Sequence, residues 1–474
     1  MAEQCTGRGV RGVVCAAAPL AAAAGAAAMR DGGNAFDAVT AAALAETVLL
    51  PSKCGLGGDV IALVLAAGSA EPEALLAIGG APRRLAGVAT SGPWSDTGPL
   101  SVGVPAAAAG YLELAARGSL TLDRLAAPAI DLATNGFPWA EVNHRLTLAS
   151  IDLLERWNPT GTVYLPVGEP ARRGTMTRLP RLADAISEFV ARRESFLAGP
   201  VGDAIIAKVR AEGGILETDD LATARARWTS CAAIAVDETR VWATPAPTFG
   251  PALLDAVRDA RPGDGPAAQF QRFLDANARR LGALADPSGT SAVSAADRDG
   301  NVAIVVHSNS YPRYGSGLIV PEYDLVLANR AGRGFTAEPG HPNFPVAGRR
   351  PATTLHAWMA TTPTGASFVG GTPGGDNQVP WNMQLLQHLF DGQTEPGRLV
   401  TQPRWAWLPT DGGVRIEAGF DDDAVVALGV VAPRIVRSAR WALACAQQVI
   451  AVPVDDRVIV GAADPRTVGL ALGV

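Results

Sequence analysis

The spacing of apolar and polar positions changes character once along the chain, close to residue 290. Before it, helical periodicity dominates. Arg11 to Cys15 reads as a short strand, followed by an alanine-rich helix that stops near Gly32-Gly33. Asn34 is placed as an N-cap with Asp37 in the first turn of a second helix, reaching about Leu49. "PSKCGLGGDVIALVLAAG" then predicts a glycine-rich turn and an apolar strand. Leu112 to Gly199 is mainly helical, with Leu182, Ile186, Phe189, Phe196 and Leu197 at helical spacing. Pro and Gly thicken after Trp242, and Arg258 to Gly265 reads as a surface loop. Beyond Thr290 short alternating strands take over, and Asp299-Gly300-Asn301 is a strong hairpin signal. The pattern predicts an α-rich first half and a β-rich second half sharing one core, without internal repeats.

Composition narrows the picture. Charged residues are 18% and hydrophobic residues 48%, which excludes a disordered chain. Net charge is -6, and no basic cluster exceeds a pair such as Arg172-Arg173 or Arg349-Arg350, so neither nucleic acid nor a membrane surface is an expected partner. The five cysteines (Cys5, Cys15, Cys54, Cys231, Cys445) have no CxxC spacing and predict free thiols in a cytoplasmic protein. "VVCAAAPLAAAAGAAAM" is too weakly apolar for a signal peptide and reads as folded structure, and no segment is apolar enough to span a membrane. With no P-loop, dinucleotide fingerprint or clustered histidines, no cofactor and no metal are expected. His144, His341, His356 and His388 are isolated, and His356, two residues after Thr354, is the one of interest.

The candidate chemistry lies in "PSGTSAVSAADRDGNVAIVVHSNS". Thr290, Ala292 and Ser294 alternate with Ser291, Val293 and Ala295, as in a half-buried strand. The hairpin brings His307, Ser308 and Ser310 back to the level of Thr290. A threonine hydroxyl needs a base. His307 is one option, though no carboxylate stands near it in sequence; the other is the threonine's own amine, freed by cleavage of Gly289-Thr290. An α-amine titrates near ~7.7–8.0 and sits beside its own Oγ1. Gly289, without a side chain, leaves the scissile carbonyl approachable.

Nine segments, in order, resemble the γ-glutamyltranspeptidase family of N-terminal nucleophile hydrolases. They are "DGGNAFDAVTAAALAETVLLPSKCGLGGD", "GVPAAAAGYLEL", "PAIDLATNGFPW", "EGGILETDDL", "VWATPAPTFGPALL", "GTSAVSAADRDGNVAIVVHSN", "GSG", "RPATT" and "GTPGG". The resemblance implies an α+β fold, a four-layer αββα sandwich. It implies a proenzyme that cuts itself between Gly289 and Thr290 into a large fragment 1–289 and a small fragment 290–474 with one shared core, associated further as a dimer of heterodimers. Thr290 would be the nucleophile, the amides of Gly374 and Gly375 the oxyanion hole, and Ser308 a holder of the new amine. Thr353 and Thr354 match the family's Ser-Ser pair that contacts the substrate carboxylate.

The departures from the family redirect the expected substrate. Ile78-Gly79 stands where the family's carboxylate-gripping Arg-Glu should be. "LANRAGRGF" sets Asn329, Arg330 and Arg333 where an acid for the substrate ammonium is expected, which favours an anion instead. Ser308 and Ser310 replace a Thr-x-Asn pattern, and Thr290-Ser291-Ala292 replaces Thr-Thr-His. The expected function is hydrolysis of a small-molecule acyl substrate other than a γ-glutamyl compound. The favoured reaction is C–C cleavage releasing an oxalyl-type unit, as in 4-alkyl-L-proline antibiotic biosynthesis. An amidohydrolase or acylase acting on a small acid amide, and an unprocessed inactive scaffold, are the alternatives.

Overall fold

Local signals set the first helices. Asn34 Oδ1 accepts from the backbone N–H of Phe36 at 2.9 Å and Asp37 at 3.1 Å, while Asp37 Oδ2 accepts from Asn34 N–H at 2.8 Å. This reciprocal cap starts the helix Ala35–Leu49, every residue of which is buried. A helix enclosed on all sides needs small apolar residues throughout, which accounts for its alanine content. The alanine stretch before it forms the strand Gly12–Ala16 and the helix Pro19–Arg30.

The computed structural model describes residues 2–280, 289–454 and 458–474. Two seven-stranded sheets carry the fold. The first, the nucleophile sheet, runs in the order Leu470–Gly473, Gly12–Ala16, Thr290–Asp297, Val302–Ser308, Asp59–Leu65, Glu73–Ala77, Arg227–Ser230. The second runs Thr6–Gly9, Ile459–Ala463, Gln448–Val452, Ser367–Gly371, Trp358–Thr361, Thr239–Ala243, Ala232–Val236.

Alternation along each strand divides the side chains between layers. Ile61, Leu63, Ala292, Ile304 and Val306 meet Met359, Val369 and Ile450 between the sheets. Val60, Ala62, Val293, Ala303 and Val305 face the helices of the first half, including Val39 and Ala42. Outside the second sheet, Trp358, Phe368 and Val449 pack with Leu253, Phe270 and Leu385. The result is the four-layer αββα sandwich.

One expectation needs correction. All eight residues of Thr290–Asp297 are buried, so the strand is not half-buried: it is central, with a layer on each face. The α-rich first half and β-rich second half are as expected, and both sheets draw strands from each side of Gly289, so the two halves share one core. The hairpin follows its signal: Asp297 Oδ1 accepts from Asp299 and Asn301 N–H, both at 3.0 Å, and Gly300 has φ +95°. Pro287 and Ser288 lie outside the described residues. Among the described residues, no helix is long and apolar enough to cross a membrane.

Candidate active site

The hairpin register sets Thr290 opposite Ser308, and Ser308 opposite Asp59 on the next strand. The two arms of one hairpin and a strand from far earlier in the chain thus bring three residues to one level at one end of the sheet. All three point between the sheets, on the side of Ala292, Val306 and Ile61. Thr290 Oγ1 donates to Ser308 Oγ at 3.1 Å, Ser308 Oγ donates to the Gly289 carbonyl at 2.7 Å, and Ser310 N–H donates to Ser308 Oγ at 2.8 Å. The Ser308 hydroxyl is therefore fixed by two donors and one acceptor, and it is aimed at the carbonyl preceding the nucleophile candidate. A Cβ on Gly289 would lie 1.8 Å from the Ser310 carbonyl oxygen, so only glycine fits there. Ser310 itself holds φ +70°, a strained conformation for a residue with a side chain.

His307, one residue from Ser308, points the opposite way. Its Nε2 is 2.9 Å from Glu46 Oε2 and its Nδ1 2.8 Å from the Tyr111 hydroxyl, all within the helix layer. Glu46 Oε1 accepts from Ala17 N–H at 2.8 Å. Strand alternation thus removes His307 as a base for Thr290. Glu46 and Tyr111 are the partners that sequence reasoning missed; they lie 261 and 196 residues from His307, and no spacing rule connects them. Glu46, Cys54 and His307 place ligand-type atoms within 4.8 Å of one another. The carboxylate and both ring nitrogens are already engaged, and burial holds the Cys54 thiol protonated by pushing its pKa far up, so the trio forms a hydrogen-bonded network rather than a set of open donors.

Asp59 organises the adjoining wall. Its Oδ2 accepts from Arg330 Nε at 2.6 Å and its Oδ1 from Gly79 N–H at 2.9 Å, with both charged side chains buried. Arg330 Nη2 is buried and has no hydrogen-bond partner among the described residues. The same holds for Asn329 Oδ1 and Ser310 Oγ. Asn329 Nδ2 donates to the carbonyls of Asp96 and Tyr311, both at 2.6 Å, tying the wall to the segment after Ser310. Arg333 is engaged elsewhere: its Nη1 bonds the half-exposed Asp96 at 2.7 Å. Gly79 has no room for a side chain, since a Cβ would sit 1.7 Å from the Val104 carbonyl oxygen.

The other candidates come from the second sheet. Thr353 and Thr354 are buried beside Pro247, whose carbonyl accepts from Thr353 N–H at 3.0 Å. His356 braces them: its Nδ1 is 2.9 Å from the Thr354 carbonyl and its Nε2 2.9 Å from Asn382 Nδ2. Burial lowers the His356 pKa to about 4, which keeps it neutral. Gly371, at the end of its strand, lies over Ile304 and Val306, and the chain continues into Gly374 and Gly375 at φ +149° and +57°. A Cβ on Gly374 would meet the Trp381 ring at 2.3 Å. These two amides precede the helix Gln378–Phe390.

The chain matches the gamma-glutamyltranspeptidase family model over residues 21–260 and 265–474. It is 25% identical to the oxamate amidohydrolase proenzyme of Klebsiella pneumoniae, over 94% of this chain and 95% of that one. It is 26% identical to the glutathione hydrolase-like YwrD proenzyme of Bacillus subtilis, over 96% and 97%. Cephalosporin acylase from Bacillus halodurans superposes with a TM-score of 0.88 at 28% identity, covering 99% of this chain and 97% of that one. A structure named LmbA2991HD superposes at 0.85 with 22% identity, covering 99% of each chain, and shows the fold alone. The chain belongs to the γ-glutamyltranspeptidase family, and it is a hydrolase of the N-terminal nucleophile type.

Proposed function

We propose that Thr290 first cuts its own chain and then hydrolyses an acyl substrate that carries a carboxylate next to the acyl carbon. In maturation, Thr290 Oγ1 attacks the Gly289 carbonyl carbon. The Ser308 hydroxyl, which donates to that carbonyl oxygen at 2.7 Å, stabilises the negative charge that develops there, and the proton of the Thr290 hydroxyl passes to the departing Thr290 nitrogen. The acyl group shifts from nitrogen to oxygen, and water hydrolyses the resulting ester. This yields fragments 1–289 and 290–474, held together because strands of both lie in each sheet. The new amine of Thr290 then serves as base for its own hydroxyl. The amides of Gly374 and Gly375 form the oxyanion hole for the substrate.

The observation that carries the specificity reading is Arg330. Asp59 fixes it one strand from Ser308 and two from Thr290, with Nη2 left to bond an incoming carboxylate. Asn329, Ser310, Thr353 and Thr354 complete the pocket. An oxalyl-type group suits this arrangement. In the C–C reaction Thr290 attacks the keto carbon next to the carboxylate, and the bond to the neighbouring carbon breaks. That carbon leaves as an enolate or dienamine stabilised by the substrate and takes up a proton; water then frees oxalate from the acyl-enzyme. We place this reaction in 4-alkyl-L-proline biosynthesis. Amide hydrolysis is the second reading, favoured by the oxamate amidohydrolase relative, since oxamate presents the same carboxylate beside an acyl carbon.

Intact mass of purified protein, wild type beside Thr290→Ala, tests the first step. Two masses are expected from the wild type and one from the variant; a single wild-type mass would overturn self-cleavage. Oxamate and an oxalyl-bearing β-dicarbonyl acid then test the second. Ammonia release from the former alone would settle the bond as an amide, and oxalate release from the latter alone as C–C.

A further inference from the structure

A cavity of about 230 Å³ opens beside Ile78-Gly79-Gly80 and is lined by Arg225, Arg227, Arg349 and Arg350. No carboxylate lies within ion-pair distance of any of the four among the described residues. The nearby acids are committed elsewhere: Glu217 and Asp219 pair with Arg83, Glu217 also with Arg210, and Asp220 caps Glu217 N–H and bonds Arg83 N–H. Arg225 and Arg349 spend only part of their donors, on the carbonyls of Thr223, Pro342 and Phe344. Arg350 Nη1 is buried with no hydrogen-bond partner among the described residues. Burial and the neighbouring Arg227 charge both push the Arg350 pKa down, which places two like charges against each other in a partly desolvated site. Such an arrangement lacks its counter-charge.

We infer that this cavity is a second anion site, distinct from the Arg330 wall, for a small multivalent oxyanion such as phosphate or a di- or tricarboxylate. Its volume falls below the ~300 Å³ typical of sites for drug-sized ligands, which suits an anionic group rather than a large molecule. Four guanidinium groups favour the planar or tetrahedral oxygens of multivalent anions over chloride, because each presents paired N–H donors. The site is linked to the active centre: Gly79, in its wall, donates to the Asp59 carboxylate that holds Arg330. An anion that orders this segment therefore acts on the pocket at Thr290 through one residue. The ligand can be a free anion or the far end of a substrate, and the two differ in kinetics.

The test is calorimetric titration of the full processed wild type with phosphate and with citrate, at matched ionic strength in chloride. Arg227→Gln and Arg350→Gln are titrated beside it. Saturable one-site binding is expected, weakened roughly tenfold or more by either substitution. Arg227 is exposed, so its variant reports even if Arg350→Gln fails to fold. Absence of saturable binding in the wild type, or equal binding by Arg227→Gln, would overturn the site. Steady-state kinetics separates the sources: competition with substrate identifies its far end, and a change in kcat without competition identifies a free anion.

Discussion

Two faces of one strand divide the chemistry of this protein. On the helix side of Val302–Ser308, Glu46, His307 and Tyr111 form a chain of hydrogen bonds that has the look of a catalytic relay. Every partner in it is buried and satisfied, and the one thiol beside it among the described residues, Cys54, is held protonated by burial. On the other side stand hydroxyls, a glycine carbonyl and an arginine fixed by Asp59, several of them with unfilled hydrogen-bonding capacity. A residue set recognised by type alone would favour the helix face. Unspent donors and acceptors beside Thr290 favour the other, where we propose that the chemistry runs.

The comparison breaks first at His307. Replacing it by Ala strands the Glu46 carboxylate in the helix layer, a cost of about 3–5 kcal/mol in unfolding free energy. Self-cleavage should continue in the protein that folds, read as fragment masses from the soluble fraction; a folded but uncut His307→Ala protein would move the chemistry to the helix side. Ser308→Ala removes the donor to the Gly289 carbonyl and should slow self-cleavage by about 3 kcal/mol, roughly a hundredfold, in a time course of precursor mass. Ser308→Thr should restore much of the rate, whereas unchanged cleavage in the alanine variant would show that the hydroxyl is structural.

His356 sharpens the contrast in a third place. Its folded pKa of about 4 lies below the ordinary 6.5, so the unfolded chain binds the extra proton between those values. Stability should fall as pH drops from about 6.5 to about 4, by about 3 kcal/mol from this residue. Denaturant titrations at pH 7 and pH 4.5 read the slope, and His356→Gln should flatten it. Arg330→Gln carries the smallest effect, a loss of about 2 kcal/mol in kcat/KM for carboxylate-bearing acyl substrates with KM raised. A neutral acyl analogue should change less; an equal loss on both would mean that Arg330 only braces Asp59.

Much of the face that carries Thr290 is legible in the amino-acid sequence. The Asn34 cap, the Asp299-Gly300 turn and the segment opening at Thr290 are signals carried within a few residues, and local backbone chemistry fixes their outcome. The departures at Ile78-Gly79 and at Asn329-Arg330 are equally visible there. Their physical meaning is not. Gly79 forbids a side chain because of Val104, twenty-five residues on, and Arg330 reaches the active face only through Asp59.

The sequence by itself determined the capped helices, the hairpin register around Asp297, the glycine before Thr290 and the family these serve. Each depends on neighbours in the chain or on a long ordered series of motifs. Only the tertiary structure decided which side chains share a face with Thr290 and which with His307, which arginine is committed to Asp59 and which to Asp96, and that four arginines from two segments line one cavity. Those outcomes rest on the stacking of two sheets, and side-chain direction across a sheet is set by layers that no local spacing encodes.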